Sequence, residues 1–191
     1  MAYIAKASNA GGFKSLNRYY DMLAGNTAFV DTAYESIATV TIGAGGATTA
    51  TFSSIPQTYT HLQIRLLAKN ADGNPFGGAT MSINGGAGEA RHDFYGTGSA
   101  VGASGVSGSL LVYIGGTAQF GVGIVDVLDY TNANKTKTSR SLSGVDNNGS
   151  GLVAFESGLE TTQTAISSLT FTSNSGNFAQ YSSFALYGIK G

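Results

Sequence analysis

The densest run of chemically capable side chains is GEARHDFYG, residues 88–96, which offers Glu89, Arg91, His92 and Asp93 within five positions. Acid–base or metal chemistry needs such groups to converge on one point. On a strand, neighbouring residues point to opposite faces, so His92 and Asp93 diverge, and a local ion pair or turn is the expected role. The other histidine, His61, lies beside Thr60 on the polar side of an alternating segment and reads as a surface or edge residue. Asp126 lies among valines and leucines, where a lone carboxylate is expected to accept backbone amides. Asp129 and Asp146 are the remaining acids of interest. DNNGSG, residues 146–151, resembles the start of a calcium loop but has Ser157 where the closing glutamate belongs. No metal is expected at His61, His92 or Asp126.

The glycine-rich runs fare no better as catalytic motifs. In IGAGGATTA, Gly43, Gly45 and Gly46 start a phosphate-loop spacing, but Thr48 takes its sixth position and no helical pattern follows. GASGVSG never places a serine in the nucleophile-elbow register. Lys135, Lys137 and Arg140 form a small basic cluster in NANKTKTSR that reads as a solvated loop or a contact to an acidic partner. These observations point to no enzymatic activity and no cofactor. A formal net charge of −1 argues against a nucleic-acid binder, which needs a basic excess. There are no cysteines, which excludes disulfides and thiolate metal sites. No run approaches 18 uninterrupted apolar residues, so no membrane-spanning helix is expected.

The elements that carry these residues are mainly strands. YTHLQIRLLA alternates Leu62, Ile64 and Leu66 with His61, Gln63 and Arg65, the pattern of a strand with one wet face. In GVGIVDVLDY, Val122, Ile124 and Leu128 share a face with Asp126 while Val125 and Val127 point the other way, which predicts a strand covered on both sides over part of its length. Strands are expected near 35–42, 47–54, 59–68, 79–84, 91–95, 109–114, 119–129, 138–146, 150–157, 165–173 and 180–189. The glycine- and serine-rich stretch 96–109 reads as a long surface loop. The fold expected is all-β: a jelly-roll-like antiparallel sandwich over residues 35–191, preceded by an N-terminal helical arm over 1–34.

That arm departs from the period of the rest. Leu16, Tyr19, Tyr20 and Leu23 fall at i, i+3, i+4 and i+7, one face of a helix over about 14–24. Gly25 stands where a left-handed cap would end it. Lys6, Lys14 and Arg18 make the arm locally basic. A helix this short needs a surface to lie on. It either plugs its own sandwich or, the preferred reading, docks on a neighbouring subunit through Leu16, Arg18, Tyr19, Tyr20 and Leu23.

Charged residues are only 11 % of the chain, against 42 % hydrophobic and 28 glycines. An ordinary soluble domain carries about 25 % charge, so Ser, Thr, Asn, Gln and Gly must cover this surface. Low charge suits close packing of subunits, since few ions need desolvation. FSSIPQTYTHLQIRLLA (52–68), NKTKTSRSLSGVDNNGSG (134–151) and the terminal FALYGIKG (184–191) together resemble a family of small tailed-bacteriophage structural proteins. The resemblance spans residues 35–191 and implies a β domain closed by its C-terminal strand, with no enzyme activity and no cofactor. It also implies a place in the virion, with other virion structural proteins as partners and a homo-oligomer, preferably a trimer. With no shaft-forming repeat in the chain, capsid decoration is preferred over a tail position. The alternative is a tail-tip module binding a receptor or host surface glycan, with Phe76, Phe94 and Tyr95 as candidate contacts on exposed loops.

Overall fold

The structure, a computed structural model, describes residues 33–71, 73–116 and 118–191. The expected arm helix, with Leu16, Arg18, Tyr19, Tyr20 and Leu23, lies outside the described residues. The β unit begins at Ala33.

Its strands are β1 (Tyr34–Thr41), β2 (Thr49–Phe52), β3 (His61–Ala68), β4 (Phe76–Ile83), β5 (Ala90–Gly96), β6 (Val101–Ser107), β7 (Leu110–Gly115), β8 (Gly121–Val127), β9 (Lys137–Asp146), β10 (Gly151–Glu160), β11 (Leu169–Ser173) and β12 (Ser183–Ile189). They form two antiparallel sheets packed as a sandwich. The larger has the order β1-β12-β3-β8-β9-β10-β5-β6 and the smaller β2-β11-β4-β7. The C-terminal strand is inserted between β1 and β3, so the chain end completes the larger sheet.

Alternation in the sequence becomes a buried layer where the two sheets overlap. Leu62, Ile64 and Leu66 of β3 face inward beside Phe184 and Leu186 of β12 and Val125 and Val127 of β8. From the smaller sheet, Phe171, Leu169, Met81, Val112 and Ile114 meet them. Phe184 sits at the centre, 5.4 Å from the ring of Phe171 and 5.0 Å from that of Phe178. Burial of side chains of this size contributes roughly 1.5–3 kcal/mol each, which makes this layer the main source of stability. Gly188 faces it with no side chain because the Tyr59 ring lies against its backbone, where a Cβ would come within 2.3 Å of Tyr59 Cγ.

The stretch 96–109, expected as a loop, forms instead the end of β5, a turn and the whole of β6. The two strands pair from Ala90–Ser107 to Gly96–Val101. Glycine hides the pattern because the glycines are receptors for side chains across the pair. The Tyr95 ring lies over Gly102 and the His92 ring over Gly105. Such pairing of a ring with a cross-strand glycine holds a strand that has little side-chain area of its own.

Candidate functional site

Beyond β8 the larger sheet outgrows the smaller one, and the consequences differ on its two faces. On the inner face, β9 and β10 meet the edge of the smaller sheet, strand β7, rather than its apolar surface. An edge strand leaves backbone N–H and C=O groups without partners. Here they are met by side chains. The Leu111 N–H donates to Glu156 Oε2 at 2.9 Å, and the Tyr113 N–H donates to Ser143 Oγ at 3.0 Å. The Ser141 hydroxyl donates to the Leu111 carbonyl at 3.3 Å. Gly158 leaves room for this approach, since a Cβ there would stand 2.9 Å from that of Leu110. Lys137, Ser139, Ser141, Ser143 and Glu156 are accordingly all buried.

Burial pushes the Glu156 carboxyl up to about 7, against the opposing pull of the Leu111 N–H. A carboxyl that titrates near neutrality can serve as a general acid or base where substrate reaches it. Glu156 is completely buried and lines neither the cavity around Val122 and Gly144 nor the small one around Ser139 and Gly158. Its role is to cap the β7 edge. Sequence reading passed over it, because the signal is a contact between residues 45 apart in the chain.

The outer face of the same strands is apolar over two adjacent rows, which no described residue covers. Antiparallel pairing aligns Ile124, Leu142, Phe155 and Phe94 in one row across β8, β9, β10 and β5. The next row is Leu67, Val122, Gly144, Val153, Gly96 and Val101, running from β3 to β6. Val153 is 60 % exposed and Phe94 59 %. Six strands at about 4.8 Å spacing make this band about 24 Å wide. Gly144 and Gly96 lower the floor of the second row between the valines. The depression belongs to a groove of about 830 Å³ whose lining also includes Phe120 and the polar Thr97, Gln119 and Asp146. The β8 strand, expected to be covered on both sides, is covered by the described residues on its inner side alone.

Several of the charged groups beside these rows are held by neighbours within the chain. The Asp126 carboxylate accepts from Gln63 Nε2 at 2.8 Å and from Arg140 Nε at 3.3 Å, so it serves side chains rather than the backbone amides expected. The Arg65 guanidinium lies 5.3 and 5.6 Å from the ring centres of Tyr34 and Tyr187. Lys135 pairs with Asp129 at 2.6 Å. That contact, first among the causes, holds the Asp129 carboxyl below its ordinary range. Lys137 is buried and donates to the carbonyls of Asn132 and Lys135, which ties down the loop before β9. Of the cluster expected to be solvated, Lys135 and Arg140 are exposed and each meets a carboxylate, and Lys137 alone is buried.

The remaining candidates take structural roles. His61 Nδ1 accepts the Asp129 N–H at 2.9 Å, which steadies a residue with φ of 54°. Asp146 accepts the Asn148 N–H at 2.8 Å and so shapes the β9–β10 turn. His92 and Asp93 do point to opposite faces: His92 lies over Gly105, while Asp93 accepts from Ser104. Phe76, Phe94 and Tyr95 lie on strands rather than on exposed loops. Phe76 and Tyr95 are half-buried around Tyr113, with ring centres 6.3 and 6.5 Å from it. Phe94 alone of the three joins the apolar band.

Among the described residues, no group of three His, Asp or Glu side chains could hold a metal ion, and no helix is long and apolar enough to cross a membrane. Comparison with known proteins returns no match to this chain among family models, curated proteins or solved structures, so the phage resemblance rests on the sequence motifs alone.

Proposed function

We propose that this chain is a non-enzymatic structural subunit of a bacteriophage particle, a surface protein of the capsid-decoration type. The observation that carries the reading is the apolar band on the outer face of the larger sheet. Contiguous apolar patches above a few hundred Å² mark association sites on soluble proteins. The two apolar rows themselves carry no charged side chain, and Arg65 and Asp146 stand at their margins, so a second copy can cover the rows without burying an ion at their centre. Copies of this chain are its occupants, in a homo-oligomer for which a trimer about a symmetry axis is preferred. A jelly-roll path supports the same class. The alternating orders β1-β12-β3-β8 and β2-β11-β4-β7 follow that topology, with the hairpins β5–β6 and β9–β10 added to one sheet.

In this reading the arm anchors the subunit to the particle through Leu16, Tyr19, Tyr20 and Leu23, with Arg18 and its neighbouring lysines steering toward an acidic surface. Replacement of Leu16, Tyr20 and Leu23 by Ser abolishes incorporation into particles and leaves the β domain folded. Imaging of labelled subunits on intact particles tests the assignment directly. Label on the capsid is the expected result, and particles without label overturn it. The groove favours a second reading, a tail-tip module binding a host glycan against Phe120 and the polar Thr97, Gln119 and Asp146. Label at the tail tip, with saturable glycan binding lost on Phe120→Ala, selects that reading instead.

A further inference from the structure

The two sheets have four edges among the described residues, and three are protected. β7 is capped by Glu156, Ser141 and Ser143. β2 is only four residues long. β1 is bulged between Ser36 and Ala38 and carries Glu35, paired with Lys190 at 2.8 Å. Short length, bulges and charges are the usual means of keeping an edge from pairing with another chain. β6 has none of them. Its sequence VGASGVS holds no charge and no proline, its register with β5 is unbroken over seven residues, and all of it but Gly102 is exposed.

The hydrogen-bond phase of β6 is set by its turn. The Thr97 N–H donates to the Ala100 carbonyl at 2.9 Å, and the Gly108 N–H to the Glu89 carbonyl at 3.3 Å. In an antiparallel pair the bonded positions alternate. Gly102, Ser104 and Val106 therefore turn their backbone groups toward β5, while Val101, Ala103, Gly105 and Ser107 turn theirs away. Those four positions are symmetric about Ser104.

We propose that β6 is a two-fold contact in which two copies of this chain pair their β6 strands antiparallel about Ser104. Val101 then meets Ser107 and Ala103 meets Gly105 of the other copy. The four outward residues of each strand together make roughly eight backbone hydrogen bonds. The pairing is isologous and satisfies every outward group, and the uncharged segment offers no repulsion to its own copy. This contact rests on the assembly reading above but uses an edge rather than the apolar face, so each can fail without the other.

Three variants of the full-length chain test the contact by sedimentation. Ala103→Pro removes an outward N–H and leaves the β5 ladder intact. Ala103→Lys and Ala103→Glu each place like charges on both sides of the axis. Each variant halves the mass of the largest species and weakens the association by about tenfold or more, since every change counts twice across the axis. An equimolar mixture of Ala103→Lys and Ala103→Glu chains restores the wild-type mass, as only a contact between two copies would allow. Amide exchange at Val101, Gly105 and Ser107, and at position 103 where it is not proline, is slow in the wild type and fast in the variants, while that at Gly102 and Ser104 is unchanged. Leu142→Ser with Phe155→Ser separates the two contacts, because it disrupts the apolar face and leaves the β6 pair. The proposal is overturned by a monomeric wild type, by a mass indifferent to all three changes, or by a mixture that fails to reassociate. Slow exchange at the four outward amides in a monomer also overturns it, since the chain itself would then cover the edge.

Discussion

Along the stretch of β9 and β10 that meets β7, the two faces invert the usual arrangement of a sandwich, while Val145, Leu152 and Ala154 remain ordinary buried apolar residues. Lys137, Ser139, Ser141, Ser143 and Glu156 point inward and are buried, while Leu142, Val153 and Phe155 point outward and are exposed. Where the larger sheet overlaps the smaller, at β3 and β12, the order is the ordinary one, with leucine, isoleucine and phenylalanine inside. The difference lies in what each strand faces. β3 and β12 face another sheet's side chains, which favours apolar groups. β9 and β10 face the open backbone of β7, which needs donors and acceptors. A polar inner face is thus a local requirement of an edge, and the apolar outer face has no such explanation within the described chain.

The comparison can be broken from either side. The largest effect expected is on association: Leu142→Ser with Phe155→Ser removes the apolar face contact, read as loss of the face-made oligomer in sedimentation. Core truncation comes next as a reference. Phe184→Ala costs about 3–5 kcal/mol of unfolding free energy in denaturant titration, as for large buried aromatics in general.

Glu156→Ala leaves the Leu111 N–H buried without a partner and costs about 1–3 kcal/mol, more than the exposed outer residues despite the polar character of Glu156. Its pH dependence sharpens the point. The carboxyl has an ordinary value of 4.5 and is pushed up to about 7 in the fold. Between those values the folded protein holds a proton that the unfolded chain has released. Stability is therefore full below about pH 4.5, declines as pH rises toward 7, and levels off above it. Glu156→Gln keeps an acceptor for the Leu111 N–H and has no proton to lose, so its stability is flat across that window in chemical denaturation. The smallest effect belongs to Val153→Thr on the outer face, within about 0.5 kcal/mol in a dissociated sample.

Much of the fold was legible in period-2 alternation, and β3, β8 and β12 lie where YTHLQIRLLA, GVGIVDVLDY and YSSFALYGI place them. The opposite aim of His92 and Asp93 followed from the same rule. Alternation separates two faces without saying which is inside, so KTSRSLSGVD could not announce that its serines are buried. The sequence of β6 reads as a loop because Gly102 and Gly105 carry no signal of their own, and their partners Tyr95 and His92 belong to another strand. The apolar rows and the groove depend on register across six strands, from β3 through β8, β9, β10 and β5 to β6. No single segment contains them.

The central claim is that the outer face of β8, β9, β10 and β5 is covered by copies of the same chain. Sedimentation equilibrium of the full-length protein, with and without Leu142→Ser and Phe155→Ser, tests it most directly. The account predicts a concentration-dependent oligomer for the wild type and loss of the face-made contact in the double variant, with unchanged circular dichroism. A wild-type chain that stays monomeric at every concentration, or a double variant that associates as the wild type does, would contradict it.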